Sequence, residues 1–504
     1  MKISELSNLL KVPIIFGDPN TNVIDVVSDS KLARPGALFC AYAGHKYDGH
    51  EYIHEAIDKG AVAVLAERPV DIDRSIAYMI AKNVRELIGT AASYVWGNPS
   101  DKMLVFGITG TDGKTTTCHM LYHILASAGL KCGLISGVNI NIVDQTIENS
   151  SGLTTMQPDA IQRRLAEMAE KGCQAVVIEI TSHALAQGRI NGCNLDIVCI
   201  TRIRYDHLDY HPTEQDYVNA KAKIIEIASY SKPKSLRKTK VLNIDDKWFE
   251  YLANFPLDNQ ITFSPSGDSN ANIYATDVVS TITELAYTMT TANGSWKVSC
   301  PVSGGFNVVN ALAASACAIA ANIPEPQIVN ALSTFKGVPG RMQAINVGQP
   351  FNVIIDFAHS ASSMEALLKD LYSKRDNGQR LIVVFGSAGE VNHDRLGMGK
   401  AAALYSDHFI LTTDDPRNED PSSICQQILE GAKTVSSKSI NYEVILDRRA
   451  AIRRAIQIAG SKDIVIFAGK GHQKYMLIGD KQEPWDEQAE VVKALKEAGY
   501  ESLK

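Results

Sequence analysis

Apolar residues in this chain gather into short unbroken runs, separated by segments where they recur every three or four positions. Leu104-Val105-Phe106-Gly107-Ile108 is one such run. A Gly/Thr stretch follows it, and then Met120, Leu121, Ile124 and Leu125, which share one face of a helix. Ala175-Val176-Val177-Ile178, Asp196-Ile197-Val198-Cys199-Ile200 and Val241-Leu242-Asn243-Ile244 extend the series of apolar runs. Strands without polar alternation are buried on both faces, so the pattern predicts a mostly parallel sheet covered by helices. The alternation restarts near residue 337, with Val353-Ile354-Ile355, Leu381-Ile382-Val383-Val384-Phe385, Phe409-Ile410-Leu411 and Ile464-Val465-Ile466-Phe467. This second α/β unit is Rossmann-like in pattern. Ahead of both, Ala37-Leu38-Phe39-Cys40-Ala41 and Ala61-Val62-Ala63-Val64-Leu65 read as strands of a first unit, which closes at the turn Gly97-Asn98-Pro99-Ser100. The fold class is α/β, in three domains at 1–100, 101–336 and 337–504.

A length of 504 residues agrees with about three domains. With 45% hydrophobic and 21% charged residues, the composition is that of a soluble globular protein. The net charge of -6 shows no broad basic excess, which argues against a nucleic-acid partner. Lys232, Lys234, Arg237, Lys238 and Lys240 form a short basic run without aromatics, which reads as a solvated surface loop. The nine cysteines include no CxxC pair and read as reduced core residues. No apolar run approaches the ~20 residues a membrane helix needs, and the polar N-terminus shows no signal peptide. A cytoplasmic monomer without membrane insertion is expected.

Chemistry enters with Gly107-Ile108-Thr109-Gly110-Thr111-Asp112-Gly113-Lys114-Thr115-Thr116-Thr117, which joins a buried strand to a helix. Glycines let backbone N–H groups approach phosphate oxygens, and the following helix N-terminus favours negative charge. Lys114 can reach terminal phosphates and Thr115 can ligate Mg²⁺. The common phosphate loop has a glycine where Ile108 stands, so the match is to a Gly-Thr-x-Gly-Lys-Thr form.

That form resembles the phosphate loop of the Mur ligase family, with Asp112 where the family usually has Asn. Further segments match in the family's order: Glu179-Ile180-Thr181-Ser182-His183-Ala184-Leu185, Asp206-His207-Leu208-Asp209-Tyr210-His211, Tyr217-Val218-Asn219-Ala220-Lys221, Phe306-Asn307-Val308-Val309-Asn310, Gly340-Arg341, Asp356-Phe357-Ala358-His359, Asp414-Asp415-Pro416-Arg417 and Gly469-Lys470-Gly471-His472. The resemblance covers nearly the whole chain and is closest to the family's MurE branch. It implies a three-domain architecture with a central P-loop-type mostly parallel sheet and a Rossmann-like C-terminal domain.

It also implies an ATP-dependent, cytoplasmic ligase that adds the third amino acid to UDP-N-acetylmuramoyl-L-alanyl-D-glutamate in peptidoglycan synthesis. ATP activates a carboxylate as an acyl phosphate, which the amine of a free amino acid then attacks. By resemblance, Lys114, Glu179, His207 and Lys221 are catalytic. Gly110, Thr111, Asp112, Gly113, Lys114, Thr115, Thr116, Asn310, Arg341, Asp356 and His359 bind ATP. Ser30, His45, Thr154, Thr155, Thr181, Gln187 and Arg189 hold the UDP-substrate. Asp414, Asp415, Arg417, Gly469 and Gln473 meet the amino acid. Mg²⁺ falls to Thr115, Glu179, His207 and a Lys221 carrying a carbamate (N6-carboxylysine). The third domain is expected to swing onto the central one, which would exclude water from the acyl phosphate.

Several positions depart from the family. Asp415 stands where the family has Asn; as an added acid it favours a basic diamino acid, lysine or ornithine, over meso-diaminopimelate. Arg417 points the other way, since it could pair a second carboxylate. A family arginine that binds the amino acid's carboxylate is missing from Gly389-Glu390-Val391-Asn392-His393-Asp394-Arg395, where Arg395 is the nearest substitute. Gln473 replaces a Glu and Arg202 an Asn. These departures keep a divergent paralogue with another amine substrate open, beside a non-catalytic nucleotide-binding regulator. A folate- or cyanophycin-type ligase fits less well, because residues 28–50 and 182–189 match the UDP-substrate segments.

Overall fold

The computed structural model describes residues 1–44, 47–149, 151–204, 210–391, 393–435 and 441–500. It forms two compact units. The first comprises Met1–Thr276, Met289–Trp296 and Val309–Ala331; the second comprises Asp277–Thr288, Lys297–Val308 and Leu332–Lys504. The boundary expected near residue 100 lies inside the first unit, where Gly97 and Asn98 turn the chain at positive φ.

The first unit holds two sheets. The smaller orders its strands Ile14–Phe16, Ala77–Ile80, Ala61–Ala66, Ala37–Ala41 and Asp25–Val27. All are parallel except Ile14–Phe16. The larger is built around Leu104–Thr109, which pairs in parallel with Ala175–Glu179 on one side and Ile197–Ile200 on the other. Thr239–Asn243 and Cys132–Ile135 extend it in parallel. Val105, Phe106, Ile108, Val176, Val177 and Ile178 have no exposed surface, as expected for strands covered on both faces. Asn139–Ile142 and Gln145–Glu148 add an antiparallel hairpin at one edge. Their mixed polarity concealed them from the pattern of apolar runs.

Polar contacts join the two sheets' layers. Ser28 donates through its N–H to the buried Asp159 at 3.0 Å. Asp25 has no exposure and pairs with both Arg34 and Arg163. Burial raises the Asp159 carboxyl above its ordinary range, against the lowering effect of the Ser28 hydrogen bonds.

The basic run corrects the surface-loop reading. Lys232 is exposed, but Lys238 and Lys240 are buried and Lys234 largely so. Lys234 and Lys238 each reach the fully buried Asp196 at 2.7 Å. Lys240 caps the backbone carbonyls of Ala253 and Phe255. A strand-forming Thr239-Lys240-Val241 segment and a buried acid give these ammonium groups internal partners, which a charge count along the sequence cannot register.

The second unit carries a six-stranded sheet in the order Gln343–Ile345, Asn352–Asp356, Ile464–Ala468, Leu381–Phe385, His408–Leu411 and Tyr442–Val444. Only Gln343–Ile345 is antiparallel. Apolar clusters cover both faces. All nine cysteines are buried and free. Among the described residues no helix is long and apolar enough to cross a membrane.

Candidate active site

The central strand Leu104–Thr109 delivers the phosphate loop to the carboxyl edge of the sheet, where such sheets bind ligands. Two glycines are sterically required there. At Gly110 (φ 151°) a Cβ would overlap the Thr201 hydroxyl, and at Gly113 (φ 82°) it would overlap the Asn310 side-chain oxygen. The loop is fastened by backbone contacts: Thr111 N–H donates to Arg202 O at 2.6 Å, and Thr201 Oγ1 donates to Asp112 O at 2.7 Å. Arg202 thus serves through its carbonyl. Lys114 opens the helix Lys114–Ser127 and donates to Gly110 O and Thr111 O. Asn310 is buried beside this helix and accepts from Thr117 Oγ1 at 3.4 Å. Asp112 is exposed and Thr116 half-buried.

Glu179 ends the neighbouring strand and is buried. One of its oxygens accepts from Thr115 Oγ1 at 2.6 Å and the other from Gly137 N–H at 2.8 Å. A hydroxyl and a carboxylate in contact are the hard oxygen donors that Mg²⁺ takes. Lys221 lies on the helix Glu214–Tyr230 and is only 1% exposed, so it is not a surface lysine. Its Nζ donates to Gly110 O at 2.6 Å, so the helix bearing Lys221 is fixed against the loop. An ammonium does not ligate a metal; a carbamate there would supply oxygens. His207 lies outside the described residues. Sequence reasoning missed His119, whose Nδ1 lies 2.8 Å from Thr115 O and Nε2 2.9 Å from Asn139 Oδ1. Only its spacing of four from Thr115 hinted at that contact.

Residues expected to hold the UDP-substrate meet the same strand end. Thr155 Oγ1 donates to Glu179 O at 3.0 Å and accepts from Thr181 N–H at 3.0 Å. Arg189 donates to Thr155 O and, through two nitrogens, to Gln187 Oε1. Thr154 is exposed against Gly137. Gln187 lines a pocket of about 360 Å³ together with Gly44, Glu67, Asn83, Arg85 and Tyr210. Arg85 and Glu67 carried no motif and were not foreseen. Ser30 is buried with its hydroxyl turned to Glu55 at 2.8 Å. His45 lies outside the described residues.

In the second unit three matched segments converge. Gly340 packs so closely on Gly471 and His472 that a Cβ would overlap their backbone. Arg341 lies over the Phe357 ring at 4.6 Å. Asp356 accepts from Met342 N–H and Ala358 N–H, and burial raises its carboxyl against the opposing pull of Arg341. His359 is exposed, with Nδ1 2.7 Å from Phe357 O.

Two residues expected at the amino-acid end have partners within the protein. Asp415 is not an open acid. Its Oδ1 is bound by Lys470 Nζ at 2.7 Å and by Leu477 N–H at 2.8 Å, and Lys470 has no exposed surface. The added acid is neutralised internally, which removes the ground for deducing a basic side chain from it. Arg395 is committed too: it forms a two-nitrogen pair with Glu419, 2.8 Å for Nη2, and donates to Ala388 O and Gln427. Asp414 is also buried, 3.8 Å from Lys470, and a Cβ at Gly469 would overlap its carboxylate. Burial raises the Asp414 carboxyl, with Lys470 and Arg448 opposing and Asp415 and Glu487 adding to it. Arg417 (φ 51°) and Gln473 are half-buried.

Comparison with known proteins agrees along the chain. Residues 24–99 match the Mur ligase family, catalytic domain; residues 108–318 the Mur ligase middle domain; and residues 340–471 the Mur ligase, glutamate ligase domain. A UDP-N-acetylmuramoyl-L-alanyl-D-glutamate–2,6-diaminopimelate ligase of Bacillus cereus is 34% identical over 98% of both chains. A UDP-N-acetylmuramyl-tripeptide synthetase of Roseiflexus sp. is 36% identical over 99% of this chain and 100% of its own. A solved structure of a UDP-N-acetylmuramoyl-L-alanyl-D-glutamate–2,6-diaminopimelate ligase superposes with TM-score 0.69 and 27% identity, covering 99% of each chain.

Proposed function

The chain belongs to the Mur ligase family of ATP-dependent amide-forming ligases, and from that premise we propose that it is a MurE-type enzyme joining a third amino acid to UDP-N-acetylmuramoyl-L-alanyl-D-glutamate. The observation that carries this reading is the junction at Glu179. Its side chain meets Thr115 of the phosphate loop while its backbone carbonyl meets Thr155 of the substrate segment. A phosphate donor on the loop and a carboxylate held by the 181–189 segment would therefore come together at one strand end.

The work of the chain's own residues follows from phosphoryl-transfer chemistry, which needs positioning and charge neutralisation. Lys114 turns from the loop carbonyls to the terminal phosphate and offsets its charge. Arg189 presents a planar fork of donors to an anionic part of the UDP-substrate. Mg²⁺ held by Thr115, Glu179, His207 and a carbamylated Lys221 would neutralise phosphate charge. The substrate carboxylate takes the phosphoryl group, the incoming amine attacks the acyl carbon, and phosphate leaves.

The added residue is read as 2,6-diaminopimelate in place of lysine or ornithine. Asp415 is already neutralised by Lys470, and Arg417 offers a guanidinium for a second carboxylate. The two relatives named as 2,6-diaminopimelate ligases support this choice. A paralogue using another amine is favoured by one observation, the commitment of Arg395 to Glu419. Phosphate release measured with UDP-N-acetylmuramoyl-dipeptide and a panel of amines separates the readings. The expected result is release that requires both substrates and is fastest with 2,6-diaminopimelate. Release with a different amine alone selects the paralogue, and no release with any amine overturns the proposal.

A further inference from the structure

A run of packed rings lies between the phosphate loop and the substrate segment. Tyr217 is 1% exposed and sits one helical turn before Lys221. Its hydroxyl is 2.9 Å from Thr111 Oγ1 in the phosphate loop. Thr111 Oγ1 donates its single proton to Arg204 O at 2.7 Å and accepts from Arg204 N–H at 2.9 Å. One lone pair remains, so Tyr217 is the donor. The Tyr217 ring meanwhile lies under Lys221 Nζ, 4.5 Å from the centroid. One side chain thus touches both the loop and the lysine.

The contacts continue away from the nucleotide side. His211 packs edge-on against Tyr217 at 5.3 Å and against Tyr210 at 4.9 Å. His183 lies 4.3 Å from Tyr210 and 5.6 Å from His211. Gln187 Nε2, in the substrate segment, donates to the Tyr210 hydroxyl at 3.4 Å. The run therefore reaches from Gln187 to Thr111 without a gap.

We propose that Tyr217 is a positioning residue that holds the phosphate loop and Lys221 in register, and that it ends an aromatic run coupling the substrate segment to that loop. The proposal rests on the ligase reading for what the two ends bind. Spatial continuity alone does not establish coupling, so the test measures coupling directly. Calorimetric titration of the full chain with ADP, with and without UDP-N-acetylmuramoyl-dipeptide, gives ADP affinity and its dependence on the second ligand. Tyr217→Phe keeps the ring and removes the donor. It is expected to weaken ADP about fivefold, the scale of one lost hydrogen bond, and to bring the effect of the dipeptide on ADP affinity close to none. Tyr217→Leu also removes the flat ring packed against the Lys221 side chain, and is expected to lower kcat about tenfold further by misplacing that side chain while Tyr217→Phe acts mainly on the KM for ATP. Wild-type ADP affinity and coupling in Tyr217→Phe overturn the proposal, as does a lowered thermal midpoint with no change in either. Failure of the wild-type chain to bind the UDP-dipeptide would instead sink the ligase reading. In that case the ADP affinity of Tyr217→Phe still decides whether Tyr217 positions the loop.

Discussion

Glu179 has both oxygens committed, one to the Thr115 hydroxyl and one to the Gly137 N–H. Glu179→Gln keeps the size but turns one acceptor into a donor. A loss of about 10²-fold or more in kcat is expected, on the scale of a removed electrostatic stabiliser. Lys221→Ala is expected to abolish phosphate release, with partial recovery when a short-chain carboxylic acid replaces the missing carbamate. Full activity of the untreated variant would reject the carbamate. Asp414 supplies a pH test. Its carboxyl is raised mainly by burial, so the folded protein holds that proton more tightly than the unfolded chain. The ionised form is then a cost at neutral pH, and the cost disappears as pH falls through the raised value. Urea unfolding of wild type and Asp414→Asn should show the balance shifting toward wild type between pH 7 and the carboxylate range. A constant difference would contradict the assigned direction.

Among the elements, the phosphate loop and the Asp196 strand entry give separable effects. Gly113→Ala meets positive φ and the Asn310 side chain at once. It is expected to cost about 1–3 kcal/mol in strain and to weaken ADP binding in titration. Asp196 accepts Val105 N–H, Lys234 and Lys238 with no exposure of its own. Asp196→Asn leaves two ammonium groups without their acid, so a loss of about 3–5 kcal/mol is expected in urea unfolding. The loop was legible before the structure, because Gly-Thr-x-Gly-Lys-Thr between strand and helix fixes its chemistry locally. The Asp196 cluster was not legible, because its members lie 38 and 42 residues apart and meet only through the sheet. Lys470 with Asp415 and Arg395 with Glu419 were hidden for the same reason. In each case a charge that looked open to solvent or to a ligand finds its partner across a fold the sequence pattern outlines but does not pair.

At the scale of the whole molecule, the apolar runs predicted the two principal parallel sheets, and the structure adds antiparallel edges whose polarity is mixed. Two units with separate cores should not unfold as one cooperative step. Calorimetry is expected to resolve two transitions, with Asp196→Asn lowering the one that belongs to the first unit and leaving the other in place. A single transition that moves as a whole would contradict this. The strand–loop–helix setting of Lys114 and Thr115 was readable because one segment carries it, whereas the pocket at Gln187 was obscure because it draws Glu67 from just past the strand Ala61–Ala66 and Arg85 from the helix Val84–Val95. The central claim is that ATP activates the substrate carboxylate as an acyl phosphate. It is tested most directly by supplying UDP-N-acetylmuramoyl-L-alanyl-D-glutamate labelled with oxygen-18 in the reacting carboxylate and weighing the phosphate released. Transfer of one labelled oxygen to phosphate with each amide formed is the predicted result. Amide formation with unlabelled phosphate would contradict it.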